Sequence, residues 1–239
     1  MPYDFQPEYV SVAKRKAIAL AQIERLRETL PDISPVVVKG EAITYTWWGK
    51  AWTKNLKSYG QYRNRLQRGS FYVRHGFVID LQIESGFVYA LVQGTESEPY
   101  RVAISIKALS ESKWRYIFEN CQHQIESVDE LLKGNFPKSL VSMFVLKESG
   151  LFPSPEEIQF SCTCPDKADM CKHIAAALYG IGVRFDEDAL LFFKLRNIEF
   201  ESLIKKSIED QMQVMLSNAK KKTSRIIENV DVYKMFDLD

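Results

Sequence analysis

The sequence predicts an α+β protein: a small antiparallel sheet flanked by helices, followed by a cysteine–histidine knuckle and C-terminal helices. Three observations predict it. β-branched and aromatic runs crowd between Ser70 and Ile106, stretches of helical periodicity bracket them, and three of the four cysteines fall between residues 162 and 171. The chain has 239 residues, enough to bury a real core, so a small metal site need not hold up the whole fold.

Taken in order, residues 8–30 read as an amphipathic helix with Val10, Ala13, Ala17, Leu20 and Ala21 on one stripe. Lys14, Arg15 and Lys16 start its polar side, and Pro31 and Pro35 end it. Thr46-Trp47-Trp48-Gly49 leads into a short helix over 50–58, with Trp47, Trp48 and Trp52 as core. Strands are expected at Phe71–Val73, Phe77–Ile83, Phe87–Val92 and Tyr100–Ile106. Gly76, Ser85-Gly86 and the stretch from Gly94 to Pro99 supply the connections. Ser110 is placed to cap a helix through Trp114, Ile117 and Phe118, and short helices are expected near 126–133 and 138–142. Ile158–Cys162 reads as a strand, His173–Ile181 as a helix stopped by Gly180 and Gly182. Asp186 is expected to cap a further helix through Leu195, with Glu187 and Asp188 near its positive end. Residues 199–222 read as a long polar-faced helix, its basic end at Lys220–Lys222 and Arg225, and residues 223–239 as a tail of uncertain order. The organisation is therefore 1–40 (helix and linker), 41–150 (α+β), 151–196 (the knuckle) and 197–239 (helix and tail).

Charge narrows the function less than its distribution does. The net charge is +1, with 46 % hydrophobic and 26 % charged residues, ordinary values for a globular protein. No apolar run reaches the ~18–20 residues of a membrane helix, and the start MPYDFQPEYV has no signal-peptide pattern. These features predict a cytoplasmic protein with no membrane partner, the nucleus staying open. In a reducing compartment the cysteines are thiols or metal ligands.

The chemistry concentrates in Cys162-Thr163-Cys164-Pro165 and Cys171-Lys172-His173. Residues two apart on an extended strand share a face, so Cys162 and Cys164 grip one ion, and the loop from Asp166 to Met170 turns the chain back. Cys171 and His173 close the set. Three thiolates and an imidazole are a structural Zn2+ set, and four protein ligands leave no open position for a catalytic water. Counting charges leaves about −1 on the loaded site, which Lys167 and Lys172 are near enough to offset. An iron–sulfur cluster is the minor alternative, since its cysteine spacings are absent. Loss of a ligand, as in Cys164→Ser, is expected to release zinc and unfold residues 158–182 locally. Cys121 reads as core; His75 and His123 are lone and structural.

The pattern C-x-C-x6-C-x-H, with Ile174-Ala175-Ala176 after it, resembles the SWIM zinc finger. Val183–Asp188, Leu191–Arg196, Tyr45–Trp52 and the stretch Val92-Gln93-Gly94 through Pro99-Tyr100 are similar to prokaryotic SWIM proteins, so the resemblance covers roughly residues 40–196. It implies a zinc-binding module that contacts DNA or protein, and a partner that is a helicase-like ATPase of the Snf type. It gives the finger no chemistry of its own.

From Gly49 to Ile79 there is no Asp or Glu, while Lys50, Lys54, Lys57, Arg63, Arg65, Arg68 and Arg74 alternate with aromatic residues. Cations neutralise phosphates, and aromatic faces stack on bases. These seven, with Tyr59 and Tyr62, are the candidate nucleic-acid contacts, and Tyr59–Arg65 reads as the exposed loop that carries them. The alternative is an adaptor that docks on the ATPase without touching nucleic acid. An enzyme ranks third: P-loop, dinucleotide and serine-elbow motifs are missing, and Asp80 with Glu84 is a thin basis for a magnesium site.

Overall fold

The structure is a computed structural model that describes residues 10–121, 141–142, 146, 150–198, 205, 209 and 212–218, excluding the side chains of 117–121. His123, the helix expected at 126–133, most of that at 138–142, the side chain of Cys121, Lys220–Lys222, Arg225 and the tail lie outside these residues. The chain divides into two units, Met1–Glu199 and Phe200–Asp239. In the second, residues 205, 209 and 212–218 are helical. Among the described residues, no helix is long and apolar enough to cross a membrane.

The first unit is built on a four-stranded antiparallel sheet in the order β1-β2-β3-β4, with β1 Val78–Glu84, β2 Phe87–Val92, β3 Tyr100–Ile106 and β4 Ile158–Cys162. Period-two alternation sets its faces. Val88, Ala90 and Val92 of β2 and Val102, Ile104 and Ile106 of β3 point inward, whereas Phe87 and Tyr89 face out. The register pairs Val102 with Cys162, which puts the first cysteine at the end of the inward-facing row.

Among the described residues, helices α1 Val12–Arg27, α2 Trp47–Lys57, α3 Arg63–Arg74, α4 Glu111–Cys121, α5 Lys172–Glu187 and α6 Leu190–Leu195 also belong to this unit. α5 is its axis. Every residue from His173 to Phe185 is buried, the pattern of a helix enclosed on all sides. α5 packs against α2 and α3 and against the strands. Trp52 donates from Nε1 to the Leu178 carbonyl at 2.7 Å, and its ring meets Phe185 edge-on at 5.4 Å.

Several expectations change once these helices pack. Phe71–Val73 belongs to α3, not to a strand: Leu66, Gly69, Tyr72 and Val73 recur at helical spacing and form its buried face. Tyr59–Arg65 is likewise no open loop but a 3-10 turn at Gly60–Tyr62 running into α3. α5 runs through Gly180 and Gly182 to Glu187. Those glycines serve close approach, since a Cβ at Gly180 would lie 2.7 Å from Leu81 and one at Gly182 3.0 Å from Trp52. Gly69 is tighter still, its missing Cβ 2.5 Å from that of Ala175.

Asp186 sits in the last turn of α5 and, instead of capping the helix that follows, holds Thr46, the N-cap residue of α2. Its carboxylate accepts from the Tyr45 and Thr46 amides at 2.7 and 3.0 Å and from the Thr46 hydroxyl at 2.6 Å, at the entrance to α2. Asp188 Oδ1 takes the Leu190 amide at 2.8 Å before α6. On α1, Ala19 and Ile23 are buried, while Ala13, Ala17, Leu20 and Ala21 of the expected stripe are exposed. The stripe is turned because Arg15 faces inward. Its guanidinium lies 5.5 Å from the Tyr72 ring centre and 5.2 Å from that of Phe77 and donates to the Tyr72 hydroxyl at 3.2 Å.

Candidate metal centre and basic groove

Two elements meet at the knuckle. β4 delivers Cys162, and the strand pairing continues one residue further, the Thr163 amide donating to the Arg101 carbonyl at 3.1 Å and Thr163 Oγ1 accepting from the Arg101 amide at 3.0 Å. That fixes the approach to Cys164. Met170, 1 % exposed, anchors the returning chain. Cys171 is the N-cap of α5, its sulfur accepting from the Ile174 amide at 3.4 Å. His173 is the second residue of the helix and 2 % exposed.

The four donor atoms of Cys162, Cys164, Cys171 and His173 lie within 4.8 Å of one another. His173 Nδ1 is 3.9 Å from the sulfurs of both Cys162 and Cys171. A tetrahedral zinc with bonds of ~2.3 Å to sulfur and ~2.0–2.1 Å to nitrogen needs donors roughly 3.6–3.8 Å apart. The arrangement therefore fits Zn2+ with Nδ1 as the imidazole ligand. Nε2 is buried and has no hydrogen-bond partner among the described residues. Ring packing orients the imidazole instead, with Tyr100 tilted over it at 4.5 Å and Tyr72 edge-on at 5.4 Å.

The electrostatics favour metal capture. Hydrogen bonding from Cys162 lowers the Cys171 thiol to about 4 against the effect of burial, and His173 and the Ile174 amide add to the shift. Cys162, the donor in that bond, is pushed up, and burial raises Cys164. Cys171 lies at the positive end of α5, which favours its thiolate, and a bound zinc would hold all three sulfurs deprotonated.

The basic stretch is divided by the fold. Tyr59 is 4 % exposed, its hydroxyl donating to the Pro153 carbonyl at 2.7 Å. It is a core residue with no face to offer a base, contrary to the expectation. Tyr62 is half-buried, meeting Phe160 edge-on at 6.1 Å. Arg65 pairs with Asp166 through two nitrogens, at 2.8 and 3.4 Å, and so ties α3 to the knuckle loop. Arg68 stands exposed on α3. The other five cations converge. Lys50, Lys54 and Lys57 on α2 face Arg63 and Arg74 on α3 across a groove of 1010 Å³. Its lining includes the buried residues Ile43, Thr44, Leu66 and Tyr179, and none of its lining residues carries a carboxylate. Arg74 also donates to the Glu41 carbonyl.

The sequence pointed to the cations but not to the neutral residues among them. Gln67, Ser70 and Tyr179 reach the groove because α3 is a helix and α5 lies behind it. Arg65 as a brace was also hidden, since Asp166 is 101 residues away.

Comparison with known proteins agrees with the metal centre. Residues 157–180 match the SWIM zinc finger family, and these residues form a SWIM-type zinc finger. The uncharacterized protein Rv2102 of Mycobacterium tuberculosis is 38 % identical over 164 residues, which cover 68 % of this chain and 59 % of that protein. The chain thus spans less than two thirds of the relative's length. No solved structure matches.

Proposed function

We propose that this zinc-finger protein is a non-enzymatic accessory factor that binds nucleic acid, DNA first among candidates, through the groove between α2 and α3. The observation that carries the reading is the convergence of five cations on one groove whose lining has no carboxylate. Such a surface attracts phosphates and gains free energy from released counterions. In this reading the zinc does no chemistry. It fixes the turn between β4 and α5, and the Arg65–Asp166 pair passes that rigidity to one wall of the groove.

A partner ATPase of the Snf type follows from the family resemblance alone. The adaptor reading draws on the second unit, where Met212, Val214, Met215 and Leu216 are each more than half exposed on a helical segment. Such a surface suits apolar association.

The test is a titration of the zinc-loaded chain with labelled DNA across a salt series. If about five phosphates are neutralised, affinity falls on the order of a hundredfold between roughly 50 and 200 mM salt. Absent or salt-independent binding refutes the nucleic-acid reading and leaves the adaptor.

A further inference from the structure

A neutral imidazole that binds a metal through Nδ1 carries its proton on Nε2, so His173 must donate there. Metal-ligating histidines pass that hydrogen to an acceptor, which fixes the ring and makes its other nitrogen a stronger ligand. In this chain no protein atom meets it directly: Nε2 is buried and has no hydrogen-bond partner among the described residues. Tyr100 and Tyr72 hold the plane of the ring without accepting its proton.

A matching acceptor is buried beside the same tyrosine. Gln93 directly follows β2 and is 0 % exposed. Its side-chain nitrogen faces two carbonyls, that of Glu96 at 2.6 Å and that of Gly94 at 3.5 Å. Carbonyl oxygens only accept, so these contacts fix which end of the amide is nitrogen and leave Oε1 as the other end. Oε1 is buried and also has no partner among the described residues. Two chains of contacts bring it to the histidine. The Gln93 backbone amide donates to the Phe77 carbonyl at 2.7 Å, the Phe77 ring meets Tyr72 at 5.2 Å, and Tyr72 meets the imidazole at 5.4 Å. Val92 pairs with Tyr100 across the sheet, and Gly94 runs so close to the Tyr100 ring that a Cβ would lie 2.3 Å from it. That ring is the one tilted over the imidazole at 4.5 Å.

We infer that Gln93 is a positioning residue of the zinc site, its Oε1 holding the His173 Nε2 proton through one buried water. An unpaired buried donor and an unpaired buried acceptor each carry a desolvation cost, and a water between them removes both. The match is one of chemistry as well as place. With Nδ1 on the metal, Nε2 can only donate, the Gln93 oxygen can only accept, and a water does each in turn. Arg15 Nε is the rival donor, held over Tyr72 and Phe77. Arg15 is only half-buried, however, and already donates to the Tyr72 hydroxyl and the Val10 carbonyl, whereas His173 has no other hydrogen to give. The loop after β2 thereby sets how firmly the ring presents Nδ1, and α1 braces that loop through Gln22, which donates to the Ser97 carbonyl at 2.6 Å.

The experiment is NMR on the full, nitrogen-15-labelled, zinc-loaded chain, paired with a chelator competition that reads zinc affinity. In the parent, the His173 Nε2 proton should give a cross-peak to a long-lived water. Gln93→Met keeps the length of the side chain and removes the oxygen. It should erase that cross-peak, move the Nε2 proton upfield and lower zinc affinity about tenfold. A lowered affinity with the cross-peak intact would mean that Gln93 supports only its own loop, and it overturns the inference. So does a folded Gln93→Met whose zinc affinity equals the parent's. Should the variant fail to fold, the parent spectrum decides alone. Cross-peaks from one water to both the His173 Nε2 proton and the Gln93 side-chain amide support the inference, and an Nε2 proton without a cross-peak to water overturns it.

Discussion

The zinc knuckle and the basic groove lie on different faces of α3, Arg65 and Tyr72 turned to the one and Arg63, Gln67, Ser70 and Arg74 to the other, and gather charge in opposite ways. At the knuckle, three sulfurs and an imidazole crowd within 4.8 Å, with Cys171 and His173 buried and α5 aiming its N-terminus at them. In the groove, five cations spread along two helices and stay in solvent. The difference sets how each site fails. A tetrahedral site loses its ion when one ligand goes, so its response is all or none. A row of exposed cations acts by summed charge, so its response is graded and salt-dependent.

The largest effect is expected at the knuckle. Cys171→Ser should abolish stoichiometric zinc and lower stability by about 3–5 kcal/mol, a drop of roughly 10–20 °C in Tm. Metal analysis with a thermal melt reads both. Hydrogen exchange should place the loosened backbone in residues 163–171. The broader local unfolding of 158–182 is no longer expected, because α5 is enclosed by α2, α3 and the sheet and cannot melt alone. Exchange that spreads evenly through α5 while α2 stays protected would contradict this picture.

Gly69→Ala ranks second. The added methyl meets Ala175 at 2.5 Å in a helix contact that backbone must move to relieve, at a cost of about 2–3 kcal/mol. Gly60→Ala is the control, since nothing lies within 4 Å of the new atom, and it should leave the denaturant midpoint nearly unchanged. Asp186→Ala removes the carboxylate that holds the N-cap residue of α2, Thr46, and should cost about 1–2 kcal/mol by chemical denaturation. It should also weaken nucleic-acid binding, because α2 is one wall of the groove.

Arg65→Ala is the smallest change and the one that separates the two regions most finely. The pair with Asp166 is about one third exposed, so its loss should cost no more than about 1 kcal/mol. Zinc stays at full occupancy, but competition with a chelator should release it faster. If Arg65→Ala instead lowers DNA affinity as much as Arg63→Ala does, Arg65 is a direct contact after all.

The finger was open to sequence reading because its ligands are local. Four donors in twelve residues need only a strand end, a turn and a helix start to meet. β2 and β3 were equally plain, since alternation and turn residues are local signals. What stayed hidden depends on distant partners. Phe71-Tyr72-Val73 has strand propensity, yet packing on α5 makes it helical, because Gly69 lets the two backbones approach. Gly180 and Gly182 look like helix stops until Leu81 and Trp52 are seen pressing on them. Arg15 marks the buried side of α1 only because Tyr72 and Phe77 lie opposite. The groove followed the same rule: a stretch without acids located its cations, but only the fold shows which face together and that Tyr59 is not among the exposed residues.

The central claim is that zinc shapes the protein while the α2–α3 cations bind nucleic acid. The most direct test is the triple variant Lys54→Glu, Lys57→Glu and Arg63→Glu, with zinc content, melting temperature and DNA affinity measured on one sample. The predicted result is full zinc, a Tm within a few degrees of the parent and affinity lowered by on the order of a hundredfold or more. Undiminished affinity in a folded, zinc-loaded variant would contradict the account.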